Sequence, residues 1–204
     1  MTGETNNPQN VTIAKTKVSG YLWWAPYGTT LPTDSNTELD PAFKLGGFVG
    51  EDGVTNTTET ETTEVKDMGG NTVMKMISSY AESYQFVLIE ALRAESAKIR
   101  YGSDAVEGKD GQLTIKHKMP SGEALSIVIE VIMTGEKKDR IVIGNASRSE
   151  FGDRQFHSTD VVGYDVTMAA NADTRLGDGV TSIEYIGIAA AAKTASVDTQ
   201  EDQA

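Results

Sequence analysis

The sequence predicts a mainly β fold of the α+β kind: two packed antiparallel β-sheets, arranged as a sandwich or half-barrel, with one short helix and long extended arms. Three observations carry that expectation. From Gln112 onward, apolar residues recur at every second position or in short runs closed by turn residues, which is the strand signature. Helical spacing shows at one place only, over residues 91–100. Residues 20–72 are rich in turn formers and threonine and poor in helix formers, so they read as arms.

In order, residues 1–10 are polar and expected to lack regular structure. Residues 11–18 alternate weakly and read as a first strand or an extended arm. Residues 20–56 hold both tryptophans, Trp23 and Trp24, then a passage kinked by Pro26, Gly28, Pro32 and Pro41, and end in Phe48-Val49 and Asp52-Gly53. So aromatic a stretch is expected to lie against something. A threonine- and glutamate-rich run around Thr60 leads to Met68, Gly69 and Gly70, after which Val73, Met74 and Met76 restore apolar character. That is a loop of about twenty residues, longer than compact domains commonly carry. It reads either as a loose insert or as a β-ribbon that orders only against a neighbour.

Residues 84–90 are apolar on both alternate sets, as in a buried strand. The period then changes: Leu88, Leu92 and Ile99 share a helical face over residues 91–100, and Gly102 caps the helix. Residues 112–118 form a half-buried strand with Leu113, Ile115 and His117 on one side. Residues 125–133 are a near-continuous apolar strand interrupted by Glu130. A hairpin turn over 134–139 leads into 140–143, and 147–159 is a polar loop with Phe151 and Phe156. Val162, Tyr164, Val166 and Met168 mark a two-faced strand. Gly177 and Gly179 turn into a last strand over 182–188, and 189–204 is an exposed tail. The total is six to eight strands. The expected organisation is an N-terminal polar segment (1–19), a domain over 20–188 containing the arm 20–53 and the long loop 54–72, and a C-terminal tail (189–204).

Composition excludes several functions. The chain has 204 residues, a formal net charge of -12 and a mean hydropathy of -0.33. It lacks the clustered lysine and arginine needed to grip nucleic acid by phosphate neutralisation, and it has no polybasic face for a membrane. There is no cysteine, so disulfides, thiolate zinc sites and thiol catalysis are excluded. The opening MTGETNNPQN has neither a basic nor an apolar region, so no secretory signal is expected. No phosphate loop, nucleophile elbow or His-Glu-x-x-His is present. His117 and His157 stand alone, and the acidic groups around Asp173 and Asp178, or Asp104, Glu107 and Asp110, lack the periodicity of a calcium loop. No catalytic residue, metal or cofactor is expected. Glu130, the one carboxylate inside an apolar strand, marks either a solvent-facing edge or a face lining a channel or interface. A second reading is a β-sandwich binding module on a virion surface, with Trp23 and Trp24 stacking on carbohydrate or contacting a receptor. It is weakened because adjacent strand residues point to opposite faces.

The arm carries a resemblance. Gly20, Ala25-Pro26, residues 28–34 (GTTLPTD), 39–43 (LDPAF), 45–49 (LGGFV) and 51–54 (EDGV), with 160–168 (DVVGYDVTM) later in the same order, resemble the major tail protein, or tail tube protein, of long non-contractile-tailed bacteriophages. The resemblance implies the phage tail tube fold and a non-enzymatic virion protein, assembled in the host cytoplasm. Six copies would form a ring, and rings would stack into the tail tube that passes DNA to the host without binding it specifically. It implies a tape-measure protein, a tail terminator and tail tip proteins as partners. Trp23, Trp24, Pro26, Phe48, Thr60 and Met68 are the expected subunit contacts, and Glu130 the expected acidic residue facing the lumen.

Overall fold

In the computed structural model the described residues are 6–16 and 21–189. Residues 1–5 and 17–19 of the predicted N-terminal segment, and all of the tail 189–204 but its first residue, fall outside them. The described strands are β1 (Ala14–Thr16), β2 (Leu22–Pro26), β3 (Lys44–Gly47), β4 (Val49–Lys66), β5 (Thr72–Leu88), β6 (Val106–Lys109), β7 (Gln112–Ile115), β8 (Leu125–Met133), β9 (Lys137–Glu150), β10 (Tyr164–Asn171) and β11 (Ile183–Ile188). The helix is α1 (Ala94–Tyr101). Nine strands make one antiparallel sheet, β3-β2-β8-β9-β10-β5-β4, with β1 added to β8 and β11 to β9, while β6 and β7 form a second, two-stranded sheet. The chain is thus mainly β with two antiparallel sheets and one short helix, as its pattern predicts. Strands exceed the expected six to eight because the arm and long loop are themselves strands and because β6, too short to show alternation, is one more.

β9 is the pivot. Its first half pairs with β8 on one edge and β11 on the other, whereas Asn145 to Glu150 pair with β10. The sheet therefore has two wings that part at β9. Leu22, Trp24, Ile127 and Ile129 of one wing meet Phe86, Leu88, Tyr164, Val166 and Met168 of the other in a single buried core. Ala97 and Ile99 of α1 join that core.

The helix is short because its two ends are fixed locally. Asp110 Oδ1 accepts the Ala94 N–H at 2.9 Å. At the other end Gly102, at φ 92°, donates its N–H to the Lys98 carbonyl at 2.9 Å, a left-handed cap that glycine adopts without strain. The expected apolar face is corrected in part: Leu88 belongs to β5, and Leu92 sits in the intervening turn, 72% exposed. The spacing of those leucines spans a strand end, so only Ile99 of the three packs from the helix. α1 lies directly on β3 at Gly46, where a Cβ would stand 2.7 Å from Leu22 Cδ2 and 2.9 Å from Ile99 Cδ1.

The opposite face of the first wing is also covered. Ala25, Phe43, Val128 and Val142 form a smaller cluster with Trp23, Leu31, Leu39, Leu176 and Tyr185 packed against it. Residues 27–43 therefore do lie against something, and it is the sheet of their own chain. Trp24 enters the main core and Trp23 the smaller cluster, since consecutive strand residues point to opposite faces.

Candidate assembly surface

The feature that this packing leaves unfinished is the β4–β5 hairpin. Its ladder runs from Val54 opposite Phe86 to Lys66 opposite Thr72. β10 flanks β5 only between Glu82 and Leu88. Beyond Thr58, among the described residues, neither hairpin edge meets another strand. Eight further residue steps to Lys66 at about 3.3–3.4 Å each, with the tip turn beyond them, give a projection of about 30 Å. The threonine-rich ribbon orders without a neighbour, because β5 is its partner within the chain.

The tip is built by Asp67. Its Oδ1 accepts the N–H groups of Gly69 (2.9 Å) and Asn71 (2.8 Å), and Oδ2 accepts Asn71 Nδ2 (3.0 Å). The Asn71 side chain first, then these backbone donors, holds the Asp67 carboxyl below the ordinary aspartate range. Gly70 supplies the positive φ of 85° the turn needs. Along the projecting part Val65, Met68, Val73, Met74, Met76, Ile77 and Tyr80 are exposed. The register places Val65, Met74 and Met76 on one face and Tyr80 and Ile77 on the other. Such a ribbon, apolar on both faces with two open edges, lacks a buried face of its own.

The root is held by Glu82. Oε1 accepts Asn56 Nδ2 and the Tyr84 hydroxyl, each at 3.0 Å, while Oε2 accepts Thr181 Oγ1 at 2.5 Å and Ser182 Oγ at 2.9 Å. Burial opposes ionisation of Glu82, but these four donors together bring its carboxyl below the usual range. Burial raises the Tyr84 phenol. Beside this root lies a cavity of 590 Å³ whose lining includes Tyr80, Tyr84, Ile141 and Val180 together with Glu82 and Glu184. Glu184 faces Asp139, whose carboxyl is pushed up to about 7 by burial, then by the hydrogen bond and charge of Glu184.

The sequence-selected residues scatter. Met68 caps the hairpin tip and Thr60 lies midway along it, both exposed. Pro26 and Phe48 are exposed on the body. Trp24 is 3% exposed, so its ring is part of the subunit's own core, and Trp23 is half-buried on the other face. The two rings cannot form one stacking platform. Glu130 is only 6% exposed: Arg140 holds it at 2.6 Å and Lys138 at 2.8 Å, and the Arg140 guanidinium also donates to the carbonyls of Asp34 (2.8 Å) and Thr37 (2.7 Å). Its charge is neutralised inside the subunit and faces neither a solvent edge nor an open channel of this chain. Asp173 is paired with Arg175, Asp104 with Lys118 and Glu107 with Lys116. Among the described residues no three His, Asp or Glu side chains are placed to hold a metal ion. His117 packs at a tilt against Tyr101, ring centroids 5.0 Å apart, and His157 pairs with Asp160. Sequence reasoning missed Ile77, Tyr80, Glu82 and Glu184. Asn56, Glu82 and Tyr84 would have been suggested as a group only by knowing that β4 and β5 pair with each other.

Residues 4–195 match the profile of the phage tail tube protein family. The chain belongs to that family. This tail tube protein is therefore a structural component of a virion tail. Solved structures similar to it include the sheath–tube complex of the PVC extracellular contractile injection system in its extended state, at 12% identity and TM-score 0.37, covering 83% of this chain and 98% of that one. The tail of an empty GTA particle refined helically with C6 symmetry matches at 11% identity and TM-score 0.40, covering 78% and 96%. The tube-terminating cap of the anti-feeding prophage matches at 10% and 0.37, covering 87% and 96%. A search among curated proteins finds no match.

Proposed function

We propose that this tail tube protein is a non-enzymatic subunit that polymerises as stacked hexameric rings into the tube of a long non-contractile phage tail. The tube conducts DNA to the host. The observation that carries the reading is the β4–β5 hairpin, a ribbon of about 30 Å with two open edges and apolar residues on both faces. In a ring of identical heterologous contacts each copy supplies what the next one lacks. A net charge of -12 suits a conduit through which phosphates slide without adhering. Screening confines that repulsion to about 8 Å at physiological salt, so only carboxylates at the lumen wall act on the DNA. Subunits assemble in the host cytoplasm around a tape-measure protein, between tail tip proteins at one end and a terminator at the other.

Negative-stain microscopy of concentrated protein tests this: rings or hollow tubes are expected, and six-fold end views fix the ring. A protein that stays monomeric under every condition, with tail tip proteins present, overturns it. The companion variant replaces residues 60–80 with Asn-Gly, which leaves Asn56, Glu82 and the β5–β10 ladder in place. It should fold and fail to form tubes.

A further inference from the structure

The hairpin carries complementary chemistry at its two ends. At the tip, Lys66 is exposed and has no ion-pair partner among the described residues, and Met68 beside it is the most exposed large apolar side chain among them. At the root, the 590 Å³ cavity presents two tyrosine rings, Ile141 and Val180 around Glu82 and Glu184. No basic side chain lines it among the described residues. Glu184 lies against another carboxyl, that of Asp139, so acidic groups gather at the mouth of the cavity.

We propose that this cavity is the socket for the hairpin tip of a second copy of the same chain, Lys66 meeting Glu184 and Glu82 while Met68 packs on Tyr80 and Tyr84. The inference rests on the tube reading and deepens it by naming both halves of one contact. A thioether against aromatic rings is a favourable pairing, and a lysine would bring a positive charge to these carboxyls. Plug and socket differ, so the contact is heterologous and repeats without a two-fold axis. Tip and root stand about 30 Å apart along the hairpin, so successive copies linked this way are offset by about the same distance.

The chain has no cysteine, which makes the test direct. The full-length double variant Met68→Cys/Val180→Cys cannot close within one copy, because a disulfide needs Cα atoms closer than about 7 Å. Mild oxidation of the assembled protein should give a ladder of covalent multimers. Each single variant should stop at dimers. In parallel, Lys66→Glu and Glu184→Lys should each raise the protein concentration needed for assembly by about 100-fold, the scale of a like-charge clash at an interface. Mixing the two variants should restore assembly, since each supplies the partner for the other. Circular dichroism confirms that both are folded, and Lys66→Glu, on an exposed tip, stands as the test should Glu184→Lys misfold. Tubes that form without a ladder and without sensitivity to either charge reversal overturn the socket and leave the tube reading intact. A wild-type chain that never oligomerises overturns both.

Discussion

Replacing Glu130 by Met probes the buried ion cluster that fastens residues 34–37 to the sheet. Arg140 is 2% exposed and Glu130 6%, and their closest approach is 2.6 Å. Removing the carboxylate leaves the guanidinium, among the described residues, with the Asp34 and Thr37 carbonyls as partners. Stripping one member from a buried pair costs about 3–5 kcal/mol. A chain of this length loses about 2–4 °C in melting temperature per kcal/mol, so the midpoint should fall by about 6–20 °C. Replacing both members, Glu130→Met with Arg140→Met, removes the guanidinium left unpaired by the single variant and leaves Lys138 as the charged member of the cluster. The double variant should therefore be less destabilised than the sum of the singles, with a coupling of about 1–3 kcal/mol. Guanidinium denaturation of the unassembled subunit, followed by the fluorescence of Trp23 and Trp24, reads these values, since both rings pack within the fold. A single-variant loss below about 1 kcal/mol, or strictly additive losses, refutes the account.

Gly46→Ala pushes a methyl group between Leu22 and Ile99 and should cost about 1–3 kcal/mol in the same denaturation assay. Ile99→Ala, at a fully buried site, should cost about 2–5 kcal/mol. Because the Asp139 carboxyl titrates at about 7 in the folded chain, above its unfolded value, the folded state binds the extra proton and stability should fall as pH rises from about 4 to 7. Asp139→Asn should flatten that fall between about pH 4 and 7; an unchanged pH slope would count against the Asp139–Glu184 pair. Met74→Glu with Met76→Glu should leave the denaturation midpoint within about 0.5 kcal/mol of wild type, because both side chains are exposed, while raising the concentration at which tubes appear by light scattering.

Strands that pack on a core were legible, and those that do not were obscured. β8 keeps its expected bounds, 125–133, because a long apolar run closed by turns at both ends has few alternatives. β4 shows threonine propensity without alternation, since nothing covers either face, and so it reads equally as a loop. The arm was misread for a related reason: its prolines and glycines describe its local path but not the sheet face it covers. Glu130 illustrates what pairing adds. Met133 stands opposite Lys137 across the Thr134-Gly135-Glu136 turn, so residue 130 must stand opposite 140. Counting outward from that turn would have exposed the Glu130–Arg140 pair before any coordinates. The Glu82 web is different, because Thr181 and Ser182 are roughly one hundred residues away in sequence and no local spacing points to them.

The projecting hairpin also fixes how a pull would travel. Tension at its tip is shared by two covalent backbones running side by side, so it does not peel the β4–β5 ladder apart. The load reaches the body where β5 lies along β10 from Glu82 to Leu88, and there it acts parallel to the strands, straining that row of hydrogen bonds together in shear. Breaking it requires the whole row to yield at once, which makes the root the mechanically strong end of the ribbon.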